Sequence, residues 1–272
     1  MSASNHERIV WLHGLLSRVA LGSVGLVLLA SVVSASLFAA PAGQVPVSAD
    51  EVVRGDPSRP WLSLVVNAGA GYEPAPEMLD TLVEKGVRAT FFLMGWWAER
   101  NPELVQRIGA EHEVASHGHE VFDLTSVSDA AVVADLEQAD AVIGGLIGRS
   151  TRPLWSPSAG YRDARVRRIA ANLGYRPIYW TVDSGDWQVD ATAERVLHRV
   201  LDNAVNGAII VLHFESPRTR TSTAVVLPTM IDALRGRGYR LVTITELVTG
   251  ILNEQTNSQS RFRTDKISDP RQ

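Results

Sequence analysis

From Trp61 to Val248 the chain alternates between two apolar patterns. Short apolar runs read as buried strands at Leu62–Val66, Ala89–Leu93, Glu113–Ala115, Thr151–Trp155, Ile178–Val182, Ala208–Leu212 and Arg240–Ile244. Between most of them apolar positions recur at helical spacing, in Pro76–Lys85, Pro102–Gly109, Asp129–Ile147, Arg162–Leu173, Ala193–Val205 and Thr223–Arg235. Gly86 follows the first of these as a C-terminal stop. The longest opens after Ser128, a good N-cap, and sets Ala131, Val132, Leu136, Ala139, Val142 and Ile143 on one face. Strands alternating with helices predict a parallel α/β fold, either a barrel or a doubly wound sheet.

The pattern changes at both ends. Val19–Ala40 is a run of 22 residues without a charge, preceded by Arg8 and Arg18 and followed by Asp50 and Glu51. About 20 apolar residues span a bilayer, and flanking positive charge stays in the cytoplasm. The run reads as a transmembrane anchor, with residues 1–18 cytoplasmic and the remainder outside. A cleaved secretory signal is the competing reading, because Ala40 and Ala42 offer a cleavage site; the run is longer than the ~7–15 residues of a signal core. The expected location is the cell membrane, single-pass, or secretion if the segment is cleaved. Residues 41–60, rich in Pro, Gly, Ser and Ala, read as a linker, 61–250 as one domain, and the polar, aperiodic 251–272 as a disordered tail.

Composition excludes several classes. The chain is 45% hydrophobic and 21% charged, ordinary for a protein with a real core. A net charge of −4 offers no basic field, so nucleic acid is not an expected partner. With no cysteine there is no disulfide, thiolate metal site or cysteine nucleophile.

Polar residues gather at strand ends. Ser116–Glu120 (SHGHE) ends one strand, Asp183–Trp187 (DSGDW) another, and His213 closes IIVLH. Singly, each has an ordinary explanation. A DSxD run commonly makes an Asx turn, a strand-end histidine is more often structural, and His-x-His falls short of three zinc ligands. Together they fall on one face of a parallel fold. The tip of the first strand, in LVVNAGAG, offers only Asn67, Ala68 and Gly69, with no acid, base or nucleophile.

Gly86–Ile108 (GVRATFFLMGWWAERNPELVQRI), HEVASHGHEVFDLTS, WTVDSGDW, GAIIVLH and LPTMIDALRGRGYRLVTITEL resemble, in family order, the motifs of the polysaccharide deacetylases (the NodB-homology domain, carbohydrate esterase family 4). The resemblance runs from about Leu62 to Val248. It implies a distorted (β/α) barrel of about seven parallel strands and metal-assisted hydrolysis of acetyl groups from N- or O-acetylated glycans. It implies His213 as the catalytic group that protonates the leaving amine and Asp186 as the acid that tunes it. It also implies Trp187 and Leu212 as substrate-binding residues, His117 as a ligand of a divalent, zinc-like ion, and a cell-wall or extracellular glycan as partner.

The chain departs from the family at the other half of the machinery. The family's Thr-Phe-Asp-Asp-Gly places its base and a metal ligand where this chain has Asn67 and Ala68. Val121 stands for the second metal histidine, and Ser156 for the arginine that orients the base. With one of three ligands left, the metal is not expected to be bound. The expectation is a deacetylase-family protein that is weakly active or inactive. Two readings stand: an enzyme whose ion is held by His119, Glu120 or Asp123, or a glycan-binding or scaffolding pseudoenzyme. For the first, His119 lies two residues from His117 and would share its direction in an extended segment.

Overall fold

The computed structural model describes residues 43–252 except 70, 72, 121 and 217. The expected span Val19–Ala40, the tail from Asn253 and Val121 therefore lie outside the described residues. Among the described residues no helix is long and apolar enough to cross a membrane.

In chain order the elements are β1 (Trp61–Ala68), α1 (Glu77–Glu84), β2 (Thr90–Leu93), α2 (Gly95–Arg100), α3 (Pro102–Glu111), β3 (Glu113–Ser116), α4 (Asp129–Ile147), β4 (Leu154–Trp155), α5 (Ala164–Asn172), β5 (Arg176–Pro177), β6 (Val182–Asp183), α6 (Ala193–Asn203), β7 (Ile209–His213), α7 (Thr223–Gly236), β8 (Arg240–Leu241) and α8 (Ile244–Thr249). Neighbouring strands pair in parallel in the order β5-β4-β3-β2-β1-β7-β6, and β8 joins the start of β1. On one side of β1, Ser63 N–H donates to Ala208 and Phe214 N–H to the Asn67 carbonyl. On the other, Val242 N–H donates to Leu62 and Met94 N–H to Ala68, so β8 and β2 share that side.

The sheet curls until its edges meet through the chain itself. Ile178 N–H donates to the Trp155 carbonyl and Thr181 N–H to that of Ile209, which carries the backbone from the β4 side to the β7 side. Val52 bridges Ile178 in parallel, and Arg54 bridges Ala208 antiparallel. This is a distorted barrel, not a flat doubly wound sheet.

Three expectations need correction. The run Ile178–Val182 is not one strand: β5 ends at Pro177 and β6 begins at Val182, because the residues between them cross from one neighbour to the other. The run Arg240–Ile244 stops early, because Thr243 and Glu246 form a capping box and Ile244 opens α8. Within the expected linker 41–60, the described stretch 43–60 packs on the barrel, since Val45 and Val52 are buried in its interior and Gly55 N–H donates to Gly207. α2, six residues long, is too short to carry a period.

Side-chain alternation divides the core. Leu62, Leu64 and Val66 pack with Phe91, Leu93, Ile210 and Leu212 beneath the helices. Val65, Phe92, Ala115, Leu154, Ile209 and Val211 fill the interior. Period-two alternation sends every second side chain to the same face. Continuing the inward parity to the carboxyl ends of β1, β3, β6 and β7 brings Asn67, His117, Asp183 and His213 to the barrel mouth.

Candidate functional site

Those four residues line one cavity of about 400 Å³, together with Ala68, Met94, Trp180, Trp187 and Val211. The cavity is mostly apolar with a few converging polar groups, the usual make-up of a small-molecule site.

The best-organised part is the pair His213 and Asp186. Asp186 is fully buried in the loop after β6. Its Oδ1 lies 2.7 Å from His213 Nδ1, and its Oδ2 accepts from the His213 backbone N–H and the Thr223 hydroxyl, each at 2.8 Å. Burial pushes the Asp186 carboxyl up, but the His213 charge and these hydrogen bonds outweigh it and hold it below the ordinary value. Burial pushes His213 down, but the carboxylate of Asp186, with Glu215 and Asp183 nearby, raises it above the ordinary histidine value. Because Nδ1 faces a carboxylate, it carries a proton, and Nε2 is the ring nitrogen left to the cavity.

Trp187 is half exposed at the rim, and its indole Nε1–H donates to both oxygens of Asp183 at 3.2 and 3.3 Å. Leu212, expected to touch substrate, does not line the cavity: it is fully buried in the helix-side core. Alternation along β7 turns Val211 and His213 inward and Leu212 outward. Asp183 and Trp180 complete the wall: parity along β6 turns Val182 to the helix side and Asp183 inward, whereas Trp180 lies in the irregular segment between β5 and β6, which no period marks.

His117 Nδ1 lies 2.7 Å from the Ser156 carbonyl oxygen. A carbonyl only accepts, so the proton sits on Nδ1 and Nε2 keeps its lone pair. Burial lowers the His117 pKa to about 4, the Ser156 hydrogen bond opposes this, and the charge of His213 adds to it. The ring is neutral and could serve as a ligand. The remaining donors do not assemble: Ala68 contributes a methyl, and among the described residues no three His, Cys, Asp or Glu side chains gather around one point. A metal-assisted hydrolase wants three protein ligands and an open position, and these residues do not fit it.

The proposed substitute ligands point elsewhere. Gly118 sits at φ 85°, which breaks the extended segment, so His119 does not follow His117. A methyl at Gly95 would lie 2.2 Å from His119 Nδ1, which places that ring under the start of α2. Asp123 caps the next turn through Thr125 N–H, and Glu120 is exposed. At the tip of β1, Asn67 is 4% exposed and aligned with His213 across the strands, and its buried Oδ1 has no hydrogen-bond partner among the described residues.

This geometry has counterparts. The sequence pattern of the polysaccharide deacetylases matches residues 54–178. The uncharacterised protein YlxY of Bacillus subtilis is 34% identical over 73% of this chain, which spans only 60% of that protein. A peptidoglycan-N-acetylglucosamine deacetylase of Bacillus cereus is 30% identical over 64% of this chain and 81% of its own length. Among solved structures, a carbohydrate esterase family 4 pseudoenzyme from Bacillus anthracis superimposes with a TM-score of 0.67, at 30% identity, over 74% of this chain and 69% of that one. A mutant of the same pseudoenzyme, described as having restored enzymatic activity, gives the same TM-score of 0.67. Barrel, motif order and relatives agree that the chain belongs to the polysaccharide deacetylase family.

Proposed function

We propose that this chain is a deacetylase-family domain held outside the cytoplasm by its N-terminal segment, that its cavity binds an acetylated sugar of a cell-wall glycan, and that it hydrolyses the acetyl group weakly or not at all. The observation that carries this reading is the contrast across one strand pair. His213 keeps its partner Asp186, while Asn67 and Ala68 stand where the family places a base and a metal ligand. An amide takes no proton from water at neutral pH. A single imidazole cannot hold a Lewis-acidic ion in an open site. In this reading His213 and Asp186 are what remains of the catalytic set, and His117 of the metal set.

Binding survives these losses on physical grounds. The half-exposed Trp187 and its neighbour Trp180 offer flat faces on which the apolar side of a sugar ring can stack. No ion is needed for that contact. The Bacillus cereus relative named for peptidoglycan N-acetylglucosamine suggests the glycan class.

The test uses the full-length chain, offered N-acetylglucosamine oligomers with Zn²⁺ present. Weak binding and little or no acetate are expected, and Trp187→Ala should weaken binding several-fold. Robust acetate release that disappears in His213→Ala would overturn the non-hydrolytic reading. For location, a C-terminal reporter active only in the cytoplasm should stay silent; a strong signal from it would reverse the topology.

A further inference from the structure

Among the described residues three aromatic side chains are exposed, Phe122, Tyr161 and Trp187, and they gather at the barrel mouth. Phe122 and Trp187 line the cavity, and Tyr161 packs on Phe122 edge to face, with ring centroids 5.9 Å apart. Exposed rings leave apolar surface in water, so their concentration around one opening points to a ligand that covers them. The loop that carries Tyr161 is strained. Ala159, exposed beside the cavity, adopts φ 47°, a left-handed conformation unfavourable to a residue with a Cβ. Gly160 follows at φ 78°, and a methyl there would lie 2.9 Å from the Tyr179 hydroxyl and 3.2 Å from the Trp180 ring. The turn is therefore seated on Tyr179 and Trp180, which stack on each other with centroids 4.0 Å apart. Strain of this kind persists only where its surroundings enforce it, and it clusters at ligand sites.

We propose, building on the glycan-binding reading above, that Phe122 and Tyr161 form a second stacking platform beside the cavity, which takes a neighbouring sugar of the same glycan chain. The chemistry of the patch favours that occupant. Sugar rings carry a face of C–H groups that packs on aromatic rings, and Tyr161 adds a hydroxyl at the wet edge. The charges adjoining the two rings in the chain are committed. Asp123 accepts Thr125 N–H and Asp163 accepts Val166 N–H. Arg162 donates to Glu51 and to the Gly160 carbonyl, and lies 3.5 Å over the Tyr179 ring. A neutral polymer therefore fits this strip better than a charged one. Neither Phe122 nor Tyr161 stands at a position that the family resemblance assigns to base, metal or leaving group. The platform belongs to this chain's own sequence, and it does not depend on the lost hydrolytic groups.

The experiment compares two ligands on the full-length chain by ligand-observed NMR titration: N-acetylglucosamine and its β-1,4-linked tetramer. The native protein should bind the tetramer more tightly than the single sugar. In Phe122→Ala and in Tyr161→Ala that ratio of affinities should fall by roughly threefold. Phe122→Tyr, which keeps a ring, should preserve it. Equal affinities for the two ligands in the native protein would overturn the inference while leaving glycan binding intact. A ratio that stays at the native value in both alanine variants would also overturn it, by assigning the gain to other residues. So would a concentration-dependent dimer of the chain that Tyr161→Ala abolishes while the ratio stays unchanged, since the patch would then belong to a second copy. If the native protein binds neither ligand, the glycan-binding reading fails and takes this inference with it. Should one alanine variant not fold, the other decides against the native ratio.

Discussion

The buried histidines show what a single residue contributes when its environment is fixed by the fold. His112 is 2% exposed, stacks on Phe91 with ring centroids 5.1 Å apart, and has no hydrogen-bond partner on either ring nitrogen among the described residues. Burial, reinforced by the charges of Arg88 and Arg107, lowers its pKa to about 4. The unfolded chain takes up a proton on this residue near pH 6.5, and the folded chain refuses it until about 4. Stability is therefore untouched above 6.5, falls as the pH drops through that window, and levels off below it, a loss of roughly 3 kcal/mol for this residue. His117 adds a similar slope. His112→Phe should flatten about half of the combined acid limb, measured as urea-unfolding free energy between pH 7 and 4. An unchanged slope in that variant would mean the ring is not held neutral. His213 is the opposite case: a carboxylate partner, rather than an aromatic one, keeps its proton on.

At the scale of elements, the loop carrying His117 is set by a helix, not by its own sequence. Asp135, in the second turn of α4, accepts the backbone N–H of His119 and of Glu120, each at 2.9 Å. Gly118 between His117 and His119 adopts φ 85°, and a methyl there would lie 2.7 Å from Asp135 Oδ2. Asp135→Ala leaves two backbone donors without their acceptor, which costs about 3 kcal/mol and lowers Tm by roughly 5–10 °C. Asp135→Asn retains one acceptor oxygen and should lose about half as much. Scanning calorimetry separates the two, and equal melting temperatures for native and Asp135→Ala would show that the loop is held by other contacts. α4 itself was legible in the sequence, because Ser128 and the apolar spacing mark its start and extent; in the structure the left-handed Gly148 caps its end. The loop it fixes was not, since the left-handed Gly118 that turns His119 away from the cavity depends on a side chain far along the chain. Leu212 is a different kind of miss. Parity along IIVLH assigns it to the face opposite His213, so the pattern held the answer and the family motif obscured it. The break within Ile178–Val182 follows from barrel closure, which no local pattern records.

At the scale of the whole molecule, the barrel and the hydrolytic set are separable. The interior is filled by Val65, Phe92, Ala115, Leu154, Ile209 and Val211, apolar side chains that pack on one another and carry none of the hydrolytic chemistry. Asp186 is satisfied by His213 and Thr223 without help from a metal. The mouth can therefore lose its chemistry while the fold persists, and the converse should hold on repair. Asn67→Asp, Ala68→Asp and Val121→His together return the base and the two missing ligands that the family places there. Catalytic groups that act as a unit fail together, so any one of these alone should restore almost nothing. The triple variant should first regain metal, because three protein ligands suffice for tight Zn²⁺ binding. Stoichiometric zinc surviving dialysis in the triple variant, but not in the native chain, is the expected result. Acetate release should follow only in part, since Ser156 still replaces the arginine that would orient the new base, and Ser156→Arg added to the triple variant should raise it further. Tight zinc binding by the native chain would break this account at its first step, by showing that ligands outside the family positions already hold an ion.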